Sequence, residues 1–557
     1  MAYKRVTVSL FVVLVLPYLI FAQRPTPTPQ TDNADELWRA RAQTITEDVV
    51  KDASSLNSLR RALVWSKLAE LWWLQDQRRA RTWITNAIEV VEQAPNRESP
   101  QERQQRLGTA RLLLETASRL DQKLSQRLIT LVSDVDKSTS KDDRDGSATS
   151  LMHAAIAVAE RDPKRAAELG AQALRVGVPS DIDDLLFALR RRDQKLADNL
   201  FEQALNVARQ TETPTLLDSL TYAAFPKERG VGWPMPVPPD NLKAELLGLH
   251  AAFLSAHANE PQDEMRFCWA VIGFITPVLP EFDRLLPQQE LLVRQTVQKC
   301  RAFIPYASPE IDTSSSTQSP NTIDSLLKAS EDSEVILLRT LYKFRAAMLA
   351  KNQNDYERAL KILDSMSDES RELMQGSWEA YHWDWAATAA LDHFQHGRLV
   401  EMNLLLNSGP PKLESFTKMT FLDRLPATKR LEGGTGTQLL AEAGAALRKS
   451  GISDSEKYGW YFGLLKLTLR YQPSEAISVF KESIASLNRA LTEDAKFLGT
   501  NEFANYVPTS LLEIDEFAVK ETLASVTNVE ARTQLRLQLL RQIFSELSHK
   551  EAPKAQK

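Results

Sequence analysis

Fourteen residues beginning at Arg161, RDPKRAAELGAQAL, return 31 residues later from Arg192 as RDQKLADNLFEQAL, with eight of the fourteen positions identical. A period between about 20 and 50 residues marks stacked supersecondary units, each too small to bury its own apolar face and dependent on the next to cover it. Looser echoes place a small Ala, a residue four further on, and a small or apolar residue three beyond that. They are Ala80, Ile84, Ala87; Ala166, Gly170, Ala173; Ala197, Phe201, Ala204; Ala359, Leu363, Met366; and Ala476, Phe480, Ser483. Spacings of four and three keep all three side chains on one helix stripe, and small residues there let a neighbouring helix come close. In four of the five an Asp (Asp76, Asp162, Asp193, Asp355) stands four residues before the first Ala. Its carboxylate can accept from the free amides of a first turn, so each predicts a helix start.

The rest of the chain agrees with a helical reading. Gly is scarce at 19 of 557 residues, Pro numbers 27, and Ala, Leu, Arg, Glu and Gln, all good helix formers, dominate. Leu242, Leu246, Leu249 and Phe253 alternate four and three apart, and residues 335–350, 439–448 and 535–547 behave alike. No period-two run of useful length predicts a strand. The length exceeds what one compact core serves, which points to several domains or a quasi-linear array.

Two stretches carry a family likeness. NDYERALKILDSM from Asn354 and QPSEAISVFKESI from Gln472, the latter preceded by Trp460, Gly463, Leu464 and Leu467, resemble tetratricopeptide-type repeats, whose second helix carries a small residue, a large apolar residue and Ala at these spacings. The resemblance reaches about five hairpins scattered over residues 50–490. The expected fold is all-α, and the uneven spacing, with most first helices lacking the usual Gly and Tyr, predicts an irregular α-solenoid of antiparallel tetratricopeptide-like hairpins, with a division into two halves possible. The likeness implies a concave surface that holds peptides or protein partners.

The amino terminus supplies an address. Lys4 and Arg5 precede an uncharged, mainly apolar run from Val6 to Phe21, closed by Ala22 and followed by a Pro/Thr tract. This is the build of a secretory signal, with cleavage expected between Ala22 and Gln23 and an extracytoplasmic (periplasmic or secreted) destination. Ile20 is bulky for the position three before the cut, so retention as an anchor is the alternative. The sixteen residues of this run fall short of the roughly 20 that span a bilayer. Membrane association is expected only in that anchored case. The expected organisation is a signal over 1–22, a Pro/Thr-rich spacer over 23–35, helical repeats over 36–305, a flexible Ser/Thr/Pro linker over 306–322, helical repeats over 323–547 and a disordered tail over 548–557. Lys137–Ser147 reads as a charged loop. Pro226–Asp240, with five prolines and Trp233, reads as a non-helical crossover or a loop bordering a binding groove.

Charge and motifs exclude more than they assign. The net charge of -5 argues against a nucleic-acid partner, and basic runs such as Arg190–Arg192 read as solvated faces answered by nearby acids. Two cysteines, Cys268 and Cys300, are too few for a disulfide framework; they either form one bond or remain two buried thiols. Of seven histidines, His393 and His396 stand three apart, but His382 on the same helix would lie about 16 Å away by helical rise. No metal site is expected. His250 and His257, two turns apart, read as packing or rim residues. Gly433–Thr437 is Gly-rich without the Lys or preceding strand of a phosphate loop, and reads as a helix connection. No catalytic residue and no cofactor is expected.

The sharpest local oddity is WEAYHWDW from Trp378. Trp378, Tyr381, His382 and Trp385 share one helical face with Glu379, Asp384 and Asp392 nearby. Such a stripe usually fills a core, yet rings beside carboxylates also hold sugars. The expected function is therefore an exported, non-catalytic helical-repeat scaffold for a protein or peptide partner. The alternative is a carbohydrate-active enzyme on an all-helical barrel. Trp378, Tyr381, His382, Trp385 and Trp233 are the candidate ligand-binding residues.

Overall fold

The structure, a computed structural model, describes residues 30–93, 99–133, 140–211, 214–226, 236–257, 271–303, 322–374, 376–425, 434–494, 497 and 507–551. Among these residues it is all helical, with 25 α-helices, a few short π and 3-10 segments and no strand. No helix among them is long and apolar enough to cross a membrane. Ala22 and Gln23, Trp233, Cys268 and positions 306–321 lie outside the described residues. The contacts define two compact units. A central unit draws on 56–354 and 362–373, and a terminal unit draws on 1–55, 355–361 and 374–557.

Helix α1 (Gln30–Ser54) belongs to the terminal unit. The central unit opens with five hairpins: α2 (Ser58–Trp72) with α3 (Gln77–Glu92), α4 (Pro100–Leu120) with α5 (Gln122–Ser133), α6 (Lys141–Ala159) with α7 (Pro163–Val176), α8 (Ile182–Arg190) with α9 (Gln194–Thr211), and α10 (Pro214–Ala224) with α11 (Asp240–His257). First helices pack on first helices, in the order α2, α4, α6, α8, α10, and second on second, in the order α3, α5, α7, α9, α11. Further along the chain come α12 (Leu279–Leu285), α13 (Pro287–Phe303), α14 (Ile323–Asp332), α15 (Ile336–Asn352), α16 (Tyr356–Asp364) and α17 (Asp368–Leu373). Cys300, on α13, is buried and disulfide-bonded.

The Asp positions are helix starts. Asp76, Asp162, Asp193 and Asp355 each accept from the amide three residues on, at 3.0, 3.0, 3.1 and 3.1 Å. Asp121 does the same at the head of α5, accepting from Lys123 and Leu124 at 2.9 and 3.2 Å. A satisfied first-turn amide contributes about 1 kcal/mol per cap. The small-residue stripes point inward: Ala80, Ile84, Ala87, Ala166, Ala173, Ala197, Phe201, Ala204, Ala359, Leu363, Ala476, Phe480 and Ser483 are fully buried. Gly170 shows why smallness matters, since a Cβ built on it would lie 2.6 Å from Leu185 Cδ2 and 3.0 Å from Leu200 Cδ2.

Several local expectations change. Lys141–Ser147 is helical, because Ser140 caps α6 by accepting from the Asp143 amide at 3.1 Å and Asp142 and Asp143 suit a helix start. Arg190 is buried rather than solvated: its Nη1 donates to Ala223 O at 3.0 Å, Asp198 lies 3.6 Å away, and burial pushes its guanidinium down to about 10. Along α11 the buried stripe is Leu242, Leu246, Leu247, His250, Ala251 and Leu254, rotated from the expected one because His250 Nε2 meets Thr221 Oγ1 at 2.6 Å. Thr435, Gly436 and Thr437 belong to a helix whose N-cap is Gly434 at φ 83°, a left-handed conformation that glycine adopts without strain.

In the terminal unit, α18 (Ser377–Gln395), α19 (Leu399–Leu406), α20 (Pro411–Arg424), α21 (Thr435–Lys449), α22 (Asp454–Tyr471), α23 (Ala476–Glu493), α24 (Ser510–Ala524) and α25 (Val529–Glu551) pack sequentially, with α18, α20 and α22 also stacked on one another. Helix α1 lies against α25. Asp52, buried, meets Arg532 at 3.0 Å and Arg536 at 2.6 Å, while Arg41 meets Glu516 on α24 at 2.9 Å.

Replacing Gly170 by Ala gains up to about 1 kcal/mol of helix propensity but forces Leu185 and Leu200 off their positions, a strain of about 1–3 kcal/mol. The variant is expected to unfold at lower urea concentration than the parent; an equal or higher midpoint contradicts the close approach.

Candidate functional site

The aromatic face is built into the interior of the terminal unit. Helix α18 carries Trp378 against His382 (ring centroids 5.1 Å apart) and Tyr381 against Trp385 (5.5 Å). Trp385 and His382 are buried, at 2 % and 7 % exposure. Trp378 and Tyr381 are half-buried. The structure therefore brings four of the five expected ligand-binding residues onto one helix, and the fifth, Trp233, is outside the described residues. The ring that most firmly ties α18 to its neighbours is a different one. Trp383 packs edge-on against Phe416 of α20 at 4.9 Å and Trp460 of α22 at 5.5 Å, and those two rings stack at 3.6 Å. A one-stripe reading overlooks Trp383, since α18 buries side chains on more than one side.

The acids beside this face are each held by a base. Glu379 meets Lys412 at 2.7 Å, Asp384 pairs with Arg424, and Asp392 meets Arg398 at 2.7 Å. His393 Nε2 meets Glu357 at 3.0 Å while His396 is exposed beside Asp392, so the two imidazoles have separate partners. No group of three or more potential metal-binding side chains is present among the described residues.

An open groove of about 690 Å³ lies on the same unit, between α22 and α24. Phe462, Gly463, Leu469, Pro473, Pro508 and Ile514 give it an apolar lining, with Lys466 and Arg470 along one wall and Glu513 on the other. Local sequence explains its form. Gly463 lets α22 close on Met419, whose Cε would sit 3.0 Å from an added Cβ. The two bases are drawn away from the floor, Lys466 to Asp423 at 2.8 Å and Arg470 to Leu425 O at 2.6 Å. Helix α24 breaks at Asp515 (φ -157°, ψ 91°), whose carboxylate caps the next turn by accepting from Ala518 at 2.9 Å. Beside the break Ile514 is 39 % and Phe517 78 % exposed. The pair Ile514 and Phe517, three apart among Glu513, Asp515 and Glu516, is the sequence signal for this groove, and the repeat pattern did not single it out.

Among the described residues of the central unit, His153 is strongly perturbed. His153 on α6 meets Glu115 of α4 through Nδ1 at 3.1 Å and Asp181, at the head of α8, through Nε2 at 2.9 Å. Both ring nitrogens donate, and the Glu115 hydrogen bond above all raises the imidazole to about 9. Asp181 sits at φ 60°, a left-handed conformation that Asp tolerates.

The class defined by this fold is an all-α protein whose many helices pack against their neighbours. No protein-family model matches the chain, and no curated protein matches it.

Trp385→Ala is expected to lower unfolding free energy by about 3–5 kcal/mol in chemical denaturation; an unchanged midpoint would favour a ligand-facing role for this ring. For His153 the folded value, near 9, lies above the ordinary 6.5. Its contribution is complete below pH 6.5 and lost as pH rises through 9. His153→Gln is expected to flatten the melting-point decline between pH 6 and pH 9.5, and parallel profiles for the two proteins would refute the clamp.

Proposed function

We propose that the protein is an exported, non-catalytic scaffold, an irregular α-solenoid of tetratricopeptide-like hairpins, that binds a protein or peptide partner. The two-tier stacking of first helices on first and second on second in the central unit supports the repeat reading. Export rests on the sequence of residues 1–22. The buried state of Trp385 and the ion pairs of Glu379, Asp384 and Asp392 weigh against the carbohydrate-active alternative.

The observation that carries binding is the groove between α22 and α24. Its apolar floor, exposed Ile514 and charged rim match an extended or helical peptide that inserts one or two apolar side chains and keeps its backbone polar groups at the edge. Peptides selected from a displayed library on the parent protein should lose at least about tenfold in affinity against Ile514→Arg, a burial loss of roughly 1.4 kcal/mol or more. The melting temperature should hold, since Ile514 is already part exposed. Peptides that bind both proteins equally, or a library that yields none, would remove the groove from the proposal.

A further inference from the structure

The turns entering α3, α5, α7 and α9 share a detail beyond the Asp cap. Asp76, Asp121, Asp162 and Asp193 are each followed two residues later by a base: Arg78, Lys123, Lys164 and Lys195. All four bases are exposed and none takes part in an ion pair or side-chain hydrogen bond among the described residues. The second helical residue is where the helix dipole disfavours a cation, so these bases do not stabilise their own helices.

The four turns lie along one edge of the central unit. Successive hairpins reverse direction twice, so each second helix begins at the same side, and contacts join the first three turns. Arg81 meets Asp121 at 2.6 Å, Arg119 meets Glu70 at 3.0 Å, and Arg161 Nη2 reaches Arg119 O at 3.4 Å. The four Asp accept capping amides and Asp121 also meets Arg81, while Glu160 at the third turn is exposed, so the bases outnumber the acids along this edge. Arg191 and Arg192 add two more exposed cations at the last turn. At the first turn stands Leu74, at 87 % the most exposed large apolar side chain among the described residues, next to half-buried Trp73 with the Arg81 guanidinium over its ring at 5.9 Å.

We propose that this edge docks the central unit onto an anionic bilayer surface, with Leu74 and Trp73 entering the interface and the row of bases facing lipid phosphates. The pairing of exposed Leu74 and half-buried Trp73 with unpaired cations in a chain of net charge -5 is what favours lipid over an acidic protein, which would need no apolar tip. This site is separate from the groove of the terminal unit.

The test is sedimentation of the chain from Gln23 with vesicles of phosphatidylcholine alone or with one third phosphatidylglycerol. Residues 1–22 are left off because their apolar run would enter any bilayer, and the described fold begins at Gln30. The expected result is binding to the anionic vesicles only, weakened by salt. The quadruple variant R78Q/K123Q/K164Q/K195Q should partition about 100- to 1000-fold less well, and Leu74→Ser should weaken binding of the parent protein. The melting temperature of the quadruple variant should be equal or higher, which a merely structural role for these bases would not give. Absence of binding to anionic vesicles at low salt, equal binding by the quadruple variant, or capture of polyglutamate or DNA in place of vesicles would overturn the proposal.

Discussion

Close approach between helices whose facing residues are Ala, Gly or Ser sets the geometry of both units. An isolated hairpin of this composition buries too little to fold, so each depends on the neighbour that covers its stripe. Ala80, Ala166 and Ala197 are wholly enclosed, and at Gly170 even one added carbon has no room. Their small side chains contribute modestly by area. What they provide is proximity, which lets Leu185, Leu200 and Phe201 pack at interior density.

Polar contacts then fix where helices start and which surfaces meet. The Asp caps end each turn at a defined residue, and capping is local, so it survives wide differences in loop length. The Asp52 contacts with Arg532 and Arg536 join helices 480 residues apart in sequence. A buried ion pair of this kind adds little net stability over an apolar substitute, because desolvation offsets attraction. Its value here is selectivity: a misregistered α1 would leave a charge unpaired in the interior.

The all-helical class, the buried stripes and the four Asp caps were legible because they are periodic or local. The capped turn at Asp121 was hidden, since Ser125 stands where Ala80, Ala166 and Ala197 stand in the neighbouring repeats, Val132 where Ala87, Ala173 and Ala204 stand, and the interval to the next cap is 41 residues rather than 31. Charge misled twice, at Lys141–Ser147 and Arg190, because a charged residue can serve a helix start or lie buried beside an acid. The face of α18 was placed on the right helix, but Trp383 escaped notice, as its importance comes from Phe416 and Trp460, which are distant in sequence. The groove residues Phe462 and Ile514 are likewise joined only by folding.

Capping and surface charge are coupled at the turns of the central unit. An Asp that caps a helix keeps its charge but turns one carboxylate oxygen to the first-turn amide, while the base two residues on stands in solvent without a partner among the described residues. The sequence Asp-x-Lys or Asp-x-Arg therefore engages its acid with the backbone and leaves its base to solvent. Repeated at four entries it produces a row of free bases on a chain whose formal charge is negative. Net charge thus describes the average field of such a protein poorly, since the same residue that starts each helix separates the signs of charge across its turn.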